Sequence, residues 1–496
     1  MTTETPENEK KLVRGLSLLD ATMIVVGSMI GSGIFIVSSE SARLVGAPGW
    51  LLVLWLLAGI MTITGALCFG ELAAMMPKAG GPYVFMSEAY GKPVGFLYGW
   101  AQFLIVQSGT IAAVAVGFAI FTGILVPAIS DKTFIIEPFV FGSYAVSLSS
   151  QQMLAIAVIA LLTFINTRGL TVGKWIQNTF TFTKTAALLG LVVIGLLFGW
   201  NSGGALFTAD WWNPVANGWS LETAQPAAMA LGSLAFVVVL GKAMTGPLFS
   251  QSAWDNVTFT GGEVENPGRN LPRALIIGCL IVVGLYLLAN LAYVVTLSLP
   301  AIQKAPNGRV AVAVMEQIIG APGAIIMVIA LMISTFGCDN GLILSGSRVS
   351  YAMAKDGYLF ERLARTNDKH VPAFALLAQG VWACLLVLPR TVTYVEGKQT
   401  FGNVYTQLLE YIVTVDLTSA ALSVLAVIVL RRARPEMDRP YRTPGYPVTP
   451  IIFLALSTFV ILTLLYLAPG TAGIGYLLAL TGIPVYFIWR RRESEQ

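Results

Sequence analysis

Two stretches of the 496-residue sequence place small and polar residues in apolar surroundings. One is VGSMIGSGIF, Val26 to Phe35; the other is TGPLFSQSAWDN, Thr245 to Asn256. Glycine, serine and proline at this density interrupt a helix. A break bares backbone N–H groups where the next half-helix starts and carbonyls where the previous one ends. Bare N–H groups hold a carboxylate, and bare carbonyls hold an ammonium. Together they suit recognition of a small zwitterion, with no bond made or broken. The alternative for the first stretch is a packing surface, since Gly27 to Gly31 also reads as GxxxG.

Charged and polar residues inside otherwise apolar runs form the second group of candidates. Lys184, in NTFTFTKTAALLG, lies deep in its run, and an intramembrane charge is a functional hypothesis by default. It is read either as a structural tether or as a proton-coupling amine. Lys242 is expected near an external vestibule. Asp255, Asp339, Glu410 and Asp416 are expected to form gating or structural ion pairs, with one another or with Lys242. Gln107, in LIVQSGTIA, is a candidate polar contact. Enzyme chemistry is not expected: the single histidine, His370, reads as solvated, and no HxxxH, DxxxD or Cys–His set exists. Neither a cofactor nor a metal is implied. The four cysteines, Cys68, Cys279, Cys338 and Cys384, read as buried thiols.

The elements that carry these residues follow from hydropathy. The chain is 56% hydrophobic and 11% charged, against about a quarter charged in soluble domains. Residues 44–70, 93–130, 138–167, 185–209, 274–303, 317–338 and 443–489 contain no Asp, Glu, Lys or Arg. At roughly 20 residues per spanning helix, these runs and the turns between them give twelve spans. They fall near 17–43, 47–76, 93–128, 149–167, 175–199, 228–260, 272–299, 321–347, 371–389, 404–430, 448–468 and 472–489. No cleavable signal is expected, the polar residues 1–16 reading as a tail and the first apolar segment as a retained span. Of the 30 Lys and Arg residues, 22 fall on the side of the termini, 6 on the other side and 2 within spans. Both termini are therefore expected in the cytoplasm. The two interrupted spans are the first and the sixth, corresponding places in two five-span halves, which is the pattern of a transporter's central site.

At these residues the sequence resembles the amino acid–polyamine–organocation superfamily, and within it the L-type amino acid transporter branch with its bacterial relatives. The resemblance runs through GSMIGSGIF, GELAAMMPKAGGPYVFMSEAYG, ENPGRNLPRA, STFGCDNGLILSGSRVSYAMAKDG and DRPYRTPGYPVTP. It implies an all-α membrane protein of twelve transmembrane helices with a LeuT-type five-plus-five inverted repeat. The repeats would be 17–200 and 228–430, helices 1 and 6 would be broken, and 448–489 would supply two further helices between cytoplasmic tails 1–16 and 490–496. It also implies alternating access to a central amino acid site. By residue, it assigns substrate binding to Met29, Ile30, Gly31, Ser32, Gly33 and Ile34, and to Phe249, Ser250, Ser252 and Trp254. Phe249 would be an aromatic lid, and Trp254 has the alternative of a packing aromatic. Lys184 would stand where sodium-coupled relatives hold an ion.

The expected function is sodium-independent exchange of amino acids, neutral ones because Ser252 stands where cation-accepting relatives can carry aspartate. The alternatives are a proton-coupled symporter, a cationic amino acid or polyamine exchanger, and a non-transporting sensor. Expected partners are an amino acid and the bilayer, with no nucleic acid. No disulfide-linked heavy chain is expected, since SDKTFIIEPFVFGSYAVS contains no cysteine. The expected location is the cell (inner) membrane.

Overall fold

The computed structural model describes residues 14–494 except 143, 202, 396–397 and 402–403; the expected N-terminal tail therefore lies largely outside the described residues, whereas 490–494 of the expected C-terminal tail continue the last helix, Gly482–Ser494. Fourteen helical segments carry the fold. They are α1 (Leu18–Met29), α2 (Gly33–Val45), α3 (Pro48–Met75), α4 (Lys92–Leu125), α5 (Ser150–Asn166), α6 (Leu170–Phe198) and α7 (Pro226–Ser250). After them come α8 (Pro267–Thr296), α9 (Val310–Ile319), α10 (Ala321–Lys355), α11 (Ala373–Leu386), α12 (Val404–Ala433), α13 (Val448–Leu467) and α14 (Ala472–Trp489).

Counting α1 with α2 as one span, ten helices among the described residues are long and apolar enough to cross a membrane. The expected fourth and ninth spans fall on α5 and α11, which have 17 and 14 residues. Leu189, Leu197, Leu280, Leu288, Ile326 and Leu462 are exposed on the outer surface. Such apolar exposure is stable only against lipid. The chain is a multi-pass membrane protein.

The all-α membrane fold also carries one small sheet that was not expected. Strands β1 (Phe134–Phe141), β2 (Tyr144–Ser149), β3 (Pro389–Val395) and β4 (Lys398–Phe401) form one antiparallel sheet in that order. It joins the connection before α5 to the connection after α11, pairing Ala145 with Arg390 and Val146 with Pro389. Aromatic and β-branched residues in FIIEPFVF favour strand, but partners about 240 positions away cannot be read from a local pattern. Gln152 closes the capping box with Ser149 and also donates to the Val387 carbonyl at 2.8 Å. The sheet is thereby tied to both helices.

On the opposite side, acid–base clips hold the ends of the spans. Glu71, at the end of α3, accepts from Arg431 Nη2 at 2.6 Å, from Arg431 Nε at 2.8 Å and from the Thr443 amide at 2.7 Å. Glu263 and Arg348 form a fully buried bidentate pair, at 2.8 and 3.2 Å. Leu16 pairs in parallel with Val264 beside it.

Candidate functional site

The first interruption is a true break. α1 ends at Met29, Ile30 turns extended (φ −75°, ψ 91°), and α2 starts at Gly33. The second follows α7: residues 251–255 leave the helix, Ala253 adopts φ +63°, and one turn resumes at Asn256–Phe259.

Carbonyls freed at the first break are costly in a bilayer unless protein supplies donors. Here five in a row have one. Gly27 O accepts from Lys184 Nζ, Ser28 O from Cys338 Sγ at 3.1 Å, and Met29 O from the Tyr286 hydroxyl at 2.8 Å. Ile30 O and Gly31 O each lie 3.3 Å from Ser334 Oγ. Two residues into α2, Ile34 O accepts from Tyr293 at 3.2 Å. Thus α6, α8 and α10 splint the break and leave its other edge, the start of α2, to present amide N–H groups and positive helix dipole.

That start faces the second break. A Cβ at Gly33 would fall 2.9 Å from Ser250 Cα, so the two backbones meet there, and one at Gly31 would fall 3.0 Å from Cys338 Sγ. At Gly33 only glycine permits this approach. Ser250 Oγ donates to Gly246 O at 2.9 Å. Phe249 O accepts both the Ser252 amide at 3.1 Å and Ser252 Oγ at 2.7 Å. A carbonyl expected to receive an amine is therefore held by its own chain.

Three cavities surround the meeting point. The largest, about 850 Å³, lies on the sheet side and is lined by Glu40, Arg43, Lys242 and Arg309. It reaches down to Val37 and Gly246, one turn above Gly33 and Ser250. A second, about 40 Å³ and too small for an amino acid, is lined by Phe249, Ser252 and Trp254. A third, about 10 Å³, is lined by Gln107, Ser252 and Asp255. None of these linings includes residues Met29 to Ile34.

The remaining candidates separate by their contacts. Trp254 packs edge-on against Phe69, with centroids 4.7 Å apart, and covers Gly65. Gln107 follows a π-helical turn, Gln102–Val106, and donates to Leu342 O at 2.9 Å; such bulges recur at functional sites. Lys184 is fully buried, its ammonium on Gly27 O.

Lys242 lines the 850 Å³ cavity. Its ammonium bonds Gln225 Oε1 at 2.8 Å, and among the described residues no acid pairs with it. Gln225 stands immediately before α7, 17 residues ahead of Lys242. Asp339 is also unpaired: it is fully buried, and neither carboxylate oxygen has a partner among the described residues. The Glu410 side chain lies outside the described residues.

The splinting donors Tyr286, Tyr293, Ser334 and Cys338 were not among the sequence candidates. Their signal is spacing: Tyr286 and Tyr293 stand two turns apart on α8, Ser334 and Cys338 one turn apart on α10, so each pair shares a face.

The sequence matches the family model described as amino acid permease over residues 16–489. It is similar to large neutral amino acids transporter small subunit 2 of Mus musculus, 31% identical over 487 residues, covering 97% of this chain and 83% of that protein. Asc-type amino acid transporter 1 of Homo sapiens is 27% identical over 489 residues, with 97% and 84% covered. Serine/threonine exchanger SteT of Bacillus subtilis (strain 168) is 28% identical over 486 residues, with 97% and 98% covered. The family and these relatives are transporters, not enzymes. This corrects the ground on which enzyme chemistry was set aside: a missing catalytic motif does not decide the matter, whereas the family does.

Proposed function

Because the chain belongs to the amino acid permease family, we propose that it exchanges neutral amino acids across the cell (inner) membrane by alternating access, without sodium. The observation that carries this reading is the meeting of two helix breaks at Gly33 and Ser250. The substrate carboxylate would sit on the N–H groups of Gly31, Ser32 and Gly33, and its ammonium on carbonyls of the second break. Met29, Ile30 and Ile34 would frame the carboxylate end. Phe249 would close over the side chain, with Ser250, Ser252, Trp254 and Gln107 around it.

In this reading α5 and α11 complete twelve spans, and residues 17–200 and 228–430 are inverted repeats followed by 448–489. Both termini are cytoplasmic. The 850 Å³ cavity is then the external vestibule, and the clips at Glu263 and Glu71 close the inner side, so the conformation faces outward. Lys184 supplies a fixed charge at the first break where an ion would otherwise be needed. Two relatives' names, a serine/threonine exchanger and a large neutral amino acids transporter, favour neutral substrates, and the first also favours exchange.

The test is counterflow by the purified chain, alone in proteoliposomes. Labelled serine should enter vesicles preloaded with unlabelled serine, enter empty vesicles far more slowly, and do both equally with or without sodium. Uptake indifferent to preloading, or dependent on sodium, would contradict exchange. Failure of the chain unless a second protein is added would contradict its acting without a heavy chain.

Glycine substitutions give a graded check. Gly33→Ala drives Cβ into the backbone of Ser250, whereas Gly31→Ala meets only a thiol that can rotate. Overpacking costs on the order of 1–3 kcal/mol, so Gly33→Ala should slow counterflow by about tenfold or more. Gly31→Ala should slow it less, measured as initial rates at equal reconstituted protein.

A further inference from the structure

Two carboxylates that the substrate site does not use lie beside it. Asp255 ends the second break, and Asp416 sits on α12. Both line the 10 Å³ cavity, which has room for about one water-sized occupant and none for an amino acid. Ser252 lines this cavity and the one beneath Phe249. The Asn256 amide nitrogen, on a residue 1% exposed that also lines the cavity, has no hydrogen-bond partner among the described residues.

Among the described residues no cation neutralises the pair: neither carboxylate has a Lys or Arg partner. Among the described residues the carboxylates interact electrostatically with Tyr98 on α4 and Asp255 also with Cys279 on α8, neither positively charged. On the other packed elements, Tyr476 of α14 is bonded to Thr418, Glu71 of α3 to Arg431, and Arg348 of α10 to Glu263. α10 faces the cavity with Leu342. Two carboxylates sharing a water-poor site without a cation do not both ionise; one proton between them is the stable arrangement.

We propose that Asp255 and Asp416 form a binding site for one proton, whose occupancy sets the rate at which the neighbouring amino acid site cycles. The proposal rests on the exchanger reading above. When the pair binds the proton it carries one negative charge; when the proton leaves to cavity water it carries two. The second charge lies beside carbonyls that hold the substrate ammonium and should retain it, so exchange slows as pH rises.

The experiment is serine counterflow by the full chain in proteoliposomes at equal internal and external pH, from about pH 5.5 to about pH 8.5. The wild-type rate should fall by about fivefold or more toward alkaline pH. Asp416→Asn and Asp255→Asn, which fix a neutral group of the same shape, should each vary by less than about twofold, while Asp416→Glu keeps the wild-type slope. A flat wild-type profile with active exchange would overturn the proposal and leave the exchanger reading intact. So would an asparagine variant that keeps the slope, or a rate that follows sodium instead of protons. No counterflow at any pH would overturn both readings. Should neither asparagine variant fold, the wild-type profile decides.

Discussion

Lys184→Ala should lower the serine counterflow rate by roughly tenfold to a hundredfold while the protein remains folded. The lysine is fully buried within α6, and its ammonium is committed to Gly27 O, the first in the run of splinted carbonyls. A hydrogen bond to a charged group contributes about 1.5–3 kcal/mol, and a buried carbonyl left bare costs about as much again. If that energy holds the break in its binding shape, about 1.4 kcal/mol of it corresponds to a factor of ten in rate. Folding should survive because Ser334, Cys338, Tyr286 and Tyr293 continue to splint the remaining carbonyls. Lys184→Met separates charge from bulk: it keeps the packing of the stem and should lose nearly as much transport. Initial rates, with gel-filtration profiles for folding, check both. Unchanged rates in Lys184→Ala would remove the lysine from the mechanism.

The second large effect is on stability. Arg348→Met should destabilise the detergent-solubilised protein by about 3–5 kcal/mol, because it strands the Glu263 carboxylate in a buried site. The guanidinium also reaches Leu344 O and Ser347 Oγ, so further acceptors lose their donor. The double replacement Arg348→Met with Glu263→Met removes both charges and should recover most of the loss. Thermal unfolding midpoints of wild type, both singles and the double form a closed cycle. A double variant no more stable than Arg348→Met alone would mean that the arginine acts through packing.

Much of the scaffold was legible in the sequence for a plain physical reason. A bilayer excludes charge over a fixed thickness, so runs such as 274–303 and 443–489 mark helices without knowledge of their neighbours. The breaks were legible for the same reason: Gly31-Ser32-Gly33 conflicts with the helix around it, and Ser250, Gln251, Ser252 and Asp255 put polar groups into an apolar run, although Gly246-Pro247 stay inside α7 and the chain leaves the helix only after Ser250. What each break touches was not. Tyr286 and Tyr293 sit in an apolar helix where their side chains could equally have packed, and only the fold turns their hydroxyls onto Met29 O and Ile34 O.

Long-range pairs escaped for another reason. Glu71 meets Arg431 across 360 positions, and Arg390 reaches Ser149 across 241. Charge alone allowed many such partners, and the bond from Lys242 to the Gln225 amide oxygen involves a partner that carries no charge. The sheet was missed because β2 pairs with β3 about 245 positions away, a partner no local pattern names.

The central claim is that bare backbone at two apposed breaks holds both ends of one zwitterion. Competition against labelled serine counterflow, with serine, its methyl ester and N-acetylserine at equal concentration, tests it most directly. The account predicts that serine competes fully and that blocking either end abolishes competition, since each break then meets a group without the charge it binds. Equal competition by the ester or the N-acetyl compound would mean that at least one break does not bind substrate, and would contradict the account.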